Sequence, residues 1–217
     1  MKIRRRDLRR LISEMFVLNE AKMPCYSEAE VNGAITRAVF LLGMEDSSLD
    51  LFLKEIAVKE SGRNRRGLGY NETGFSIDCF LKKQVGDGPA LGPWQVEPAT
   101  FNFLKANWKL ADISDTVYKN AGGGLQNPLR DQEVSAFMSS LSMQAVTATL
   151  KMIDKMNPRT FEQSQDPSNN QATAFMIPDS RKERAELWKK YYNTSSGAGT
   201  AQEYIDVNDA NGTSRWK

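Results

Sequence analysis

Most of this chain shows apolar residues at helical spacing together with helix-capping residues, and one segment has the pattern of loops and short strands. Ser27 followed by Glu30 forms a capping box before a helix over about residues 27–42, and a second apolar repeat predicts a helix over about 48–61. Residues 62–97 hold seven of the fifteen glycines, which favours loops with one or two short strands. We therefore expect a mainly α fold of the α+β kind, with a small β element in the 62–97 segment.

The remainder of the chain continues the helical pattern. Apolar repeats predict four further helices, at about 98–107, 112–120, 129–156 and 180–192. Thr200 with Glu203 forms another capping box before a last short helix. Residues 208–217 carry turn residues and should fray, so we expect one folded domain over 23–207.

The first 22 residues have a character of their own. Apolar residues fall on one helical face and six basic residues crowd the first ten positions, which predicts a basic amphipathic helix over 1–22. Three interpretations stay open: a helix packed on the domain, a helix for an anionic membrane surface, or a docking segment for an assembly partner such as a virion. The whole chain carries a net charge of only +2, so no nucleic-acid partner is expected.

The chain contains no histidine, and this absence excludes several enzyme classes. Zinc amidases with histidine ligands, Cys-His peptidases and Ser-His-Asp hydrolases all need an imidazole. Carboxylates are not clustered at ligand spacing either, so we expect no metal and no cofactor. Glycosidases need only carboxylates, and that chemistry remains open.

Cysteine content and hydropathy bear on the compartment. Cys25 and Cys79 are too few for a disulfide scaffold, and reduced, buried thiols are the favoured interpretation. No apolar run approaches the roughly 20 residues of a membrane span, and Ser13 and Glu14 interrupt the apolar stretch that a signal peptide would need. We therefore expect synthesis in the cytoplasm without a signal peptide.

Glu60 is the first candidate for chemistry. It lies eleven residues after Leu49, which at about 100° per residue returns it to within about 20° of the apolar stripe of its helix. Burial there should raise its pKa above the usual value of about 4.3, as a general acid requires. The alternative is a solvated residue at the end of the helix.

Three short motifs follow one another in a fixed order. They are Glu60-Ser61, residues 92–100 (GPWQVEPAT) and residues 192–205, which begin YNTSSGAG and end with Tyr204-Ile205. Together they resemble elements of the lytic transglycosylases and goose-type lysozymes, especially phage-encoded ones, over roughly residues 45–206. The resemblance implies a lysozyme-like fold that cleaves the β-1,4 bond between N-acetylmuramic acid and N-acetylglucosamine in peptidoglycan glycan strands.

The resemblance also implies roles for individual residues. Glu60 would act as general acid and then as base, and Ser61 would support it or a sugar N-acetyl group by hydrogen bonding. Tyr204 would lie near Glu60 and fix its position and protonation.

Four further residues would form the cleft. Gln95 and the backbone around Trp94 would hold an N-acetyl group, while Tyr192 and Asn193 would shape the floor. From the residues alone, Trp94 is equally a core aromatic, and Gln95 could instead satisfy loop backbone groups. Pro93-Trp94 in place of the family's Leu-Met makes the details of sugar binding depart from the family pattern.

The reaction type depends on a second carboxylate. An inverting lysozyme needs one to activate water, and the possible residues are Asp78, Asp87 and Glu97. A lytic transglycosylase needs none, and the lack of an obvious partner favours it. A third alternative is a catalytically inactive virion protein of the same fold. An active enzyme would reach the wall through a holin or inside the virion.

Overall fold

In the computed structural model the secondary structure is mainly helical. The description covers residues 25–42, 44–45, 48–63, 77, 79–84, 88–106, 132–156, 177–193 and 199–212. The predicted helix over 1–22, the predicted helix near 112–120 and residues 194–198 of the third motif lie outside these residues. No helix in the described part of the chain combines the length and apolarity needed to cross a membrane.

The described residues form seven α-helices, one π-helix and three short strands. The helices are α1 (Glu28–Leu41), α2 (Leu49–Ser61), α3 (Pro98–Ala106), α4 (Val134–Ser139), α5 (Leu141–Met156), α6 (Arg181–Leu187), the π-helix (Trp188–Asn193) and α7 (Ala201–Ala210). The strands are β1 (Cys25–Tyr26), β2 (Gly62–Arg63) and β3 (Cys79–Leu81). The prediction of a mainly helical fold with a small β element is confirmed.

Both predicted capping boxes are present. The Ser27 hydroxyl accepts from the Glu30 backbone N–H at 3.3 Å, and the Glu30 carboxylate accepts from the Ser27 N–H at 2.7 Å. Thr200 and Glu203 make the same reciprocal pair at 3.1 and 3.0 Å before α7. These pairs satisfy N–H groups that have no partner within the helix, so they fix where α1 and α7 begin.

The sheet is antiparallel, with β3 between β1 and β2. Strands β2 and β3 lie where the glycine-rich segment predicted them, but β1 was not predicted because its only signal is its distant partner. The two cysteines are free, as expected, and partly exposed rather than buried. Cys25 lies opposite Leu81 and Cys79 lies opposite Arg63, so the strand register does not pair them.

Helix α2 lies at the centre of the fold. Residues 52–58 are all buried, including the charged Lys54 and Glu55. Helices α1 and α7 and strands β2 and β3 pack against α2, and α5 packs against α1, α3, α4 and the π-helix. Because α2 is enclosed on nearly every side, each polar group on it must find a partner inside the protein.

Three predicted boundaries differ from the structure. The helix predicted over 129–156 is divided by Ser140, whose backbone is extended and whose hydroxyl accepts from the Met143 N–H at 3.4 Å. The helix predicted over 180–192 changes from α to π geometry at Trp188. The tail predicted from Asn208 begins too early, because Asn208 is buried in α7 and its amide donates to the Glu55 carbonyl oxygen at 3.3 Å.

A buried ion-pair network joins α2 to α6 and α7. The Glu55 carboxylate is fully buried and accepts from Arg184 Nε at 2.7 Å and from Arg184 Nη2 at 2.9 Å. It also accepts from Arg181 Nε at 2.9 Å and from the Tyr204 hydroxyl at 3.0 Å. Four donors to one carboxylate compensate for its loss of water and fix the three helices in one arrangement.

We predict that Glu55→Gln destabilises the fold by about 3 kcal/mol or more, because it leaves the buried Arg184 guanidinium group without the carboxylate it pairs with. Urea denaturation followed by circular dichroism measures this loss. The control is Glu133→Gln, which removes an exposed ion pair with Lys105 at 3.3 Å and should cost less than about 1 kcal/mol. Equal losses in the two variants would contradict the assignment of the network as a main support of the fold.

Candidate active site

Glu60 lies in the last turn of α2, where the buried helix reaches the surface. Its side chain is partly exposed, and its Oε1 accepts a hydrogen bond from the indole Nε1–H of Trp188 at 2.8 Å. Trp188 itself is buried. The residue is therefore partly exposed, while its carboxyl group is held against a buried indole.

Burial raises the pKa of the Glu60 carboxyl above its usual value. The Trp188 hydrogen bond and the positive charges of Lys151 and Lys59 act in the opposite direction and only partly offset burial. The direction agrees with the prediction made from helical periodicity. A carboxyl with a raised pKa keeps its proton at a higher pH than a solvated one, as a general acid must.

The π-helix contributes a second aromatic side chain to this region. The Tyr192 hydroxyl donates to the backbone carbonyl oxygen of Trp94, and both side chains are buried. Burial raises the pKa of Tyr192 well above its usual value, and the charge of Glu60 raises it further. Asn193 ends the π-helix and is partly exposed. The predicted cleft residues Tyr192 and Trp94 are thus in direct contact, with Glu60 close enough to influence Tyr192.

A tight turn between Leu91 and Val96 presents the Trp94 carbonyl. Leu91 and Val96 exchange backbone hydrogen bonds at 2.9 and 3.1 Å, which closes the turn. Gly92 has φ +67°, and a Cβ there would lie 1.8 Å from the Gln144 Oε1, so the turn requires glycine. The backbone on both sides of Trp94 is therefore held in one conformation by the Leu91–Val96 pair and by Gly92.

Trp94 and Gln95 have the structural roles that the sequence left open as alternatives to sugar binding. The Trp94 ring is fully buried and its Nε1–H donates to the Leu53 carbonyl oxygen at 3.0 Å, so the ring is a core group and is not free to stack on a sugar. Gln95 is partly exposed, and its side-chain amide donates to the Gly92 carbonyl oxygen at 2.8 Å. Gln95 also has a positive φ of 47°, a strained conformation that is frequent near functional sites.

Lys151 of α5 completes the group around Glu60. Its Nζ lies 4.3 Å from the centroid of the Tyr192 ring. Burial lowers the pKa of Lys151, while the charges of Glu60 and Glu97 raise it. Lys151 is thus a cation held between two carboxylates, one partly buried and one exposed.

Ser61 and Tyr204 do not have the predicted contacts. The Ser61 hydroxyl is buried and donates to the Ala57 carbonyl oxygen at 3.2 Å within α2, because position 61 faces a different side of the helix from Glu60. The Tyr204 hydroxyl donates to Glu55, not to Glu60. Its ring instead packs on Trp188, with centroids 5.1 Å apart, so its contact with Glu60 is indirect.

Sequence reasoning did not identify Trp188 or Lys151. Lys151 lies four residues after Thr147 and seven after Gln144, both buried, so the periodicity that indicated Glu60 applies to it as well. Trp188 lies three residues after the buried Ala185, so periodicity also indicates its burial, but its hydrogen bond to Glu60 spans 128 residues and has no local signal. The possible second carboxylates Asp78 and Asp87 lie outside the described residues.

The described residues offer no cluster of three or more cysteine, aspartate or glutamate side chains that could hold a metal ion. What they bring together is one carboxyl with a raised pKa, lysine charges that act on it and a fixed backbone turn. Comparison of the chain with protein-family models, with curated proteins and with solved structures finds no match.

We predict that Trp188→Phe raises the pKa of Glu60 further, because the indole N–H donor that favours the carboxylate is lost while an aromatic ring remains against Tyr204. Titration of the glutamate side-chain carboxyls by carbon-13 NMR measures the shift, with the Glu60 signal assigned from its loss in Glu60→Gln.

The matched control is Trp94→Phe. It removes the same atoms from another buried tryptophan, but the lost hydrogen bond ends on the Leu53 carbonyl. The Glu60 titration should stay as in the wild type. A similar shift in both variants would show that loosened packing, and not the hydrogen bond, controls the proton on Glu60.

Proposed function

We propose that this protein is a peptidoglycan-cleaving glycosidase that uses Glu60 as its general acid and then as its base. It acts as a lytic transglycosylase on the β-1,4 bond between N-acetylmuramic acid and N-acetylglucosamine. The observation that carries the proposal is the partly exposed residue Glu60, whose carboxyl pKa is raised by burial. Such a group holds a proton for the leaving glycosidic oxygen at a higher pH than a solvated glutamate does.

The arrangement of the three motifs supports the proposal. Glu60 is the last but one residue of α2, the GPWQV turn presents its Trp94 carbonyl to Tyr192, and Tyr192 belongs to the third motif. These segments are separated by tens of residues in the chain and resemble the same family. Contact between the second and third motifs, with the charge of Glu60 acting on Tyr192, is consistent with a cleft of that family.

The proposed reaction needs only one carboxyl from the protein. Glu60 gives its proton to the glycosidic oxygen while the bond to the muramic acid carbon breaks. The N-acetyl group of the substrate stabilises the developing positive charge, and the Glu60 carboxylate then removes a proton from the 6-hydroxyl as the 1,6-anhydro ring closes. Proton gain and loss at Glu60 balance over the cycle.

An inverting lysozyme is the second candidate, and Glu97 favours it. The Glu97 side chain is exposed, and its charge acts on Lys151 as that of Glu60 does. A carboxylate in that region could activate a water molecule for direct hydrolysis.

Delivery to the wall is part of the proposal. The enzyme would be made in the cytoplasm and reach peptidoglycan through a holin or as a component of a virion. The basic segment 1–22, which lies outside the described residues, would then serve as the contact with a membrane surface or a virion partner.

We predict that Glu60→Gln reduces cleavage of purified peptidoglycan by about 100-fold or more, because the amide cannot donate the proton. Mass spectrometry of the released muropeptides measures both rate and product. Wild-type protein should release 1,6-anhydromuramyl products, and Glu97→Gln should release them at nearly the same rate. Glu133→Gln, an exposed change at a distant ion pair, is the control for substitution itself.

Other products would change the assignment. Reducing ends that disappear in both Glu60→Gln and Glu97→Gln would identify an inverting lysozyme with Glu97 as its base. Wild-type protein that leaves several types of peptidoglycan uncut would exclude the glycosidase and favour a virion protein of the same fold.

We also predict a characteristic pH profile. Only protonated Glu60 can act as the acid, and burial raises its pKa, so kcat/KM should fall as the pH rises through that raised value. The decline should therefore lie above the usual glutamate value of 4.5. Measurement of kcat/KM on solubilised glycan strands from about pH 4 to about pH 9 checks this. An activity that rises steadily over the whole range would contradict the role of Glu60 as acid.

A further inference from the structure

Lys151 occupies an unusual position for a lysine. It lies on the inward-facing side of α5, and its side chain is only partly exposed. The ammonium group is held over the face of the Tyr192 ring, with the Nζ 4.3 Å from the ring centroid. Tyr192 is itself fixed by its hydrogen bond to the Trp94 carbonyl. The ammonium group therefore has a defined place in the candidate site and does not extend freely into water.

The charges around Lys151 come from three sides. Glu60 is supplied by α2, Glu97 by the residue before α3, and Lys155 by the next turn of α5. The two carboxylates attract the ammonium group and Lys155 repels it. The π-helix contributes the neutral Tyr192 face. Lys151 is thus held in the site by opposite charges and an aromatic ring together.

Among the residues that the structure describes, the cations whose charge acts on Glu60 are Lys151 and Lys59, and they differ in their other contacts. Lys59 forms an ion pair with Glu203 at 3.4 Å and lies 5.6 Å from the centroid of the Trp188 ring. Of the two cations, Lys151 has the larger effect on Glu60. Lys151 is accordingly the main positive charge available to the Glu60 carboxylate.

We propose that Lys151 is a positioning residue of this site, whose ammonium group stabilises the carboxylate that Glu60 becomes after it has given up its proton. The catalytic part of this inference rests on the proposed glycosidase function. Lys151 keeps its own proton throughout, so the balance of the reaction is unchanged. Its charge makes proton donation by Glu60 easier and limits the pH range in which Glu60 stays protonated.

The test compares four proteins by carbon-13 NMR titration of the Glu60 carboxyl: wild type, Lys151→Met, Lys151→Arg and Lys155→Met. Loss of the charge in Lys151→Met should move the Glu60 titration to higher pH. Lys151→Arg keeps the charge and should remain close to wild type. Lys155→Met removes an exposed charge from the same helix and should leave the Glu60 titration unchanged. Lys151→Gln replaces the Met variant should the latter not fold.

Activity gives a second readout. In Lys151→Met the alkaline decline of kcat/KM should move to higher pH while the maximum of kcat falls. The reason is that a carboxyl group whose carboxylate form is less stabilised is a weaker acid. A merely structural role of Lys151 would lower the rate without moving the decline. Lys151→Arg should restore both the position and most of the height of the profile.

The two proposals fail in distinguishable ways. An unchanged Glu60 titration in Lys151→Met, or the same shift in Lys151→Met and Lys151→Arg, would overturn the role of the Lys151 charge even if peptidoglycan is cut. Wild-type protein without glycosidase activity would overturn the proposed function and with it the catalytic purpose of Lys151. The NMR titration would still decide whether Lys151 controls the proton on Glu60.

Discussion

The bidentate pairing of Arg184 with Glu55 is the interaction on which the rest of the structure depends. It fixes α6 against the buried face of α2, and α6 continues without interruption into the π-helix. The first residue of the π-helix, Trp188, then donates to Glu60, five residues after Glu55 on the same helix. A structural ion pair and a candidate catalytic carboxyl are therefore set by one contact between two helices.

Two carboxylates of helix α2, Glu55 and Glu60, thus lie in opposite environments. Glu55 is surrounded by two guanidinium groups and a tyrosine hydroxyl, and it serves the fold. Among the described residues Glu60 accepts a hydrogen bond from the neutral Trp188 indole, and its desolvation outweighs this bond and the lysine charges, so its pKa rises. The same residue type acquires two different functions because partners from other helices reach one position and not the other.

Local signals predicted the helix starts and the Glu60 position, but not the partners that complete the site. Capping boxes at Ser27 and Thr200 act within four residues, and the helical stripe that includes Glu60 is a property of α2 alone. The pairing of Glu55 with Arg184 spans 129 residues, and β1 exists only because β3 lies beside it. Such contacts depend on tertiary packing, for which a single sequence gives no local pattern.

The π-helix has a consequence for how this region can vary. Trp188 and Tyr192 both reach their partners because the chain is wound more loosely there than in an α-helix. Loss of one residue between them would remove the spacing with which Tyr192 reaches the Trp94 carbonyl, since α6 keeps Trp188 in place. Side chains on the outer surface of this segment can therefore be exchanged more freely than its length can, and insertions or deletions belong in the connections on either side.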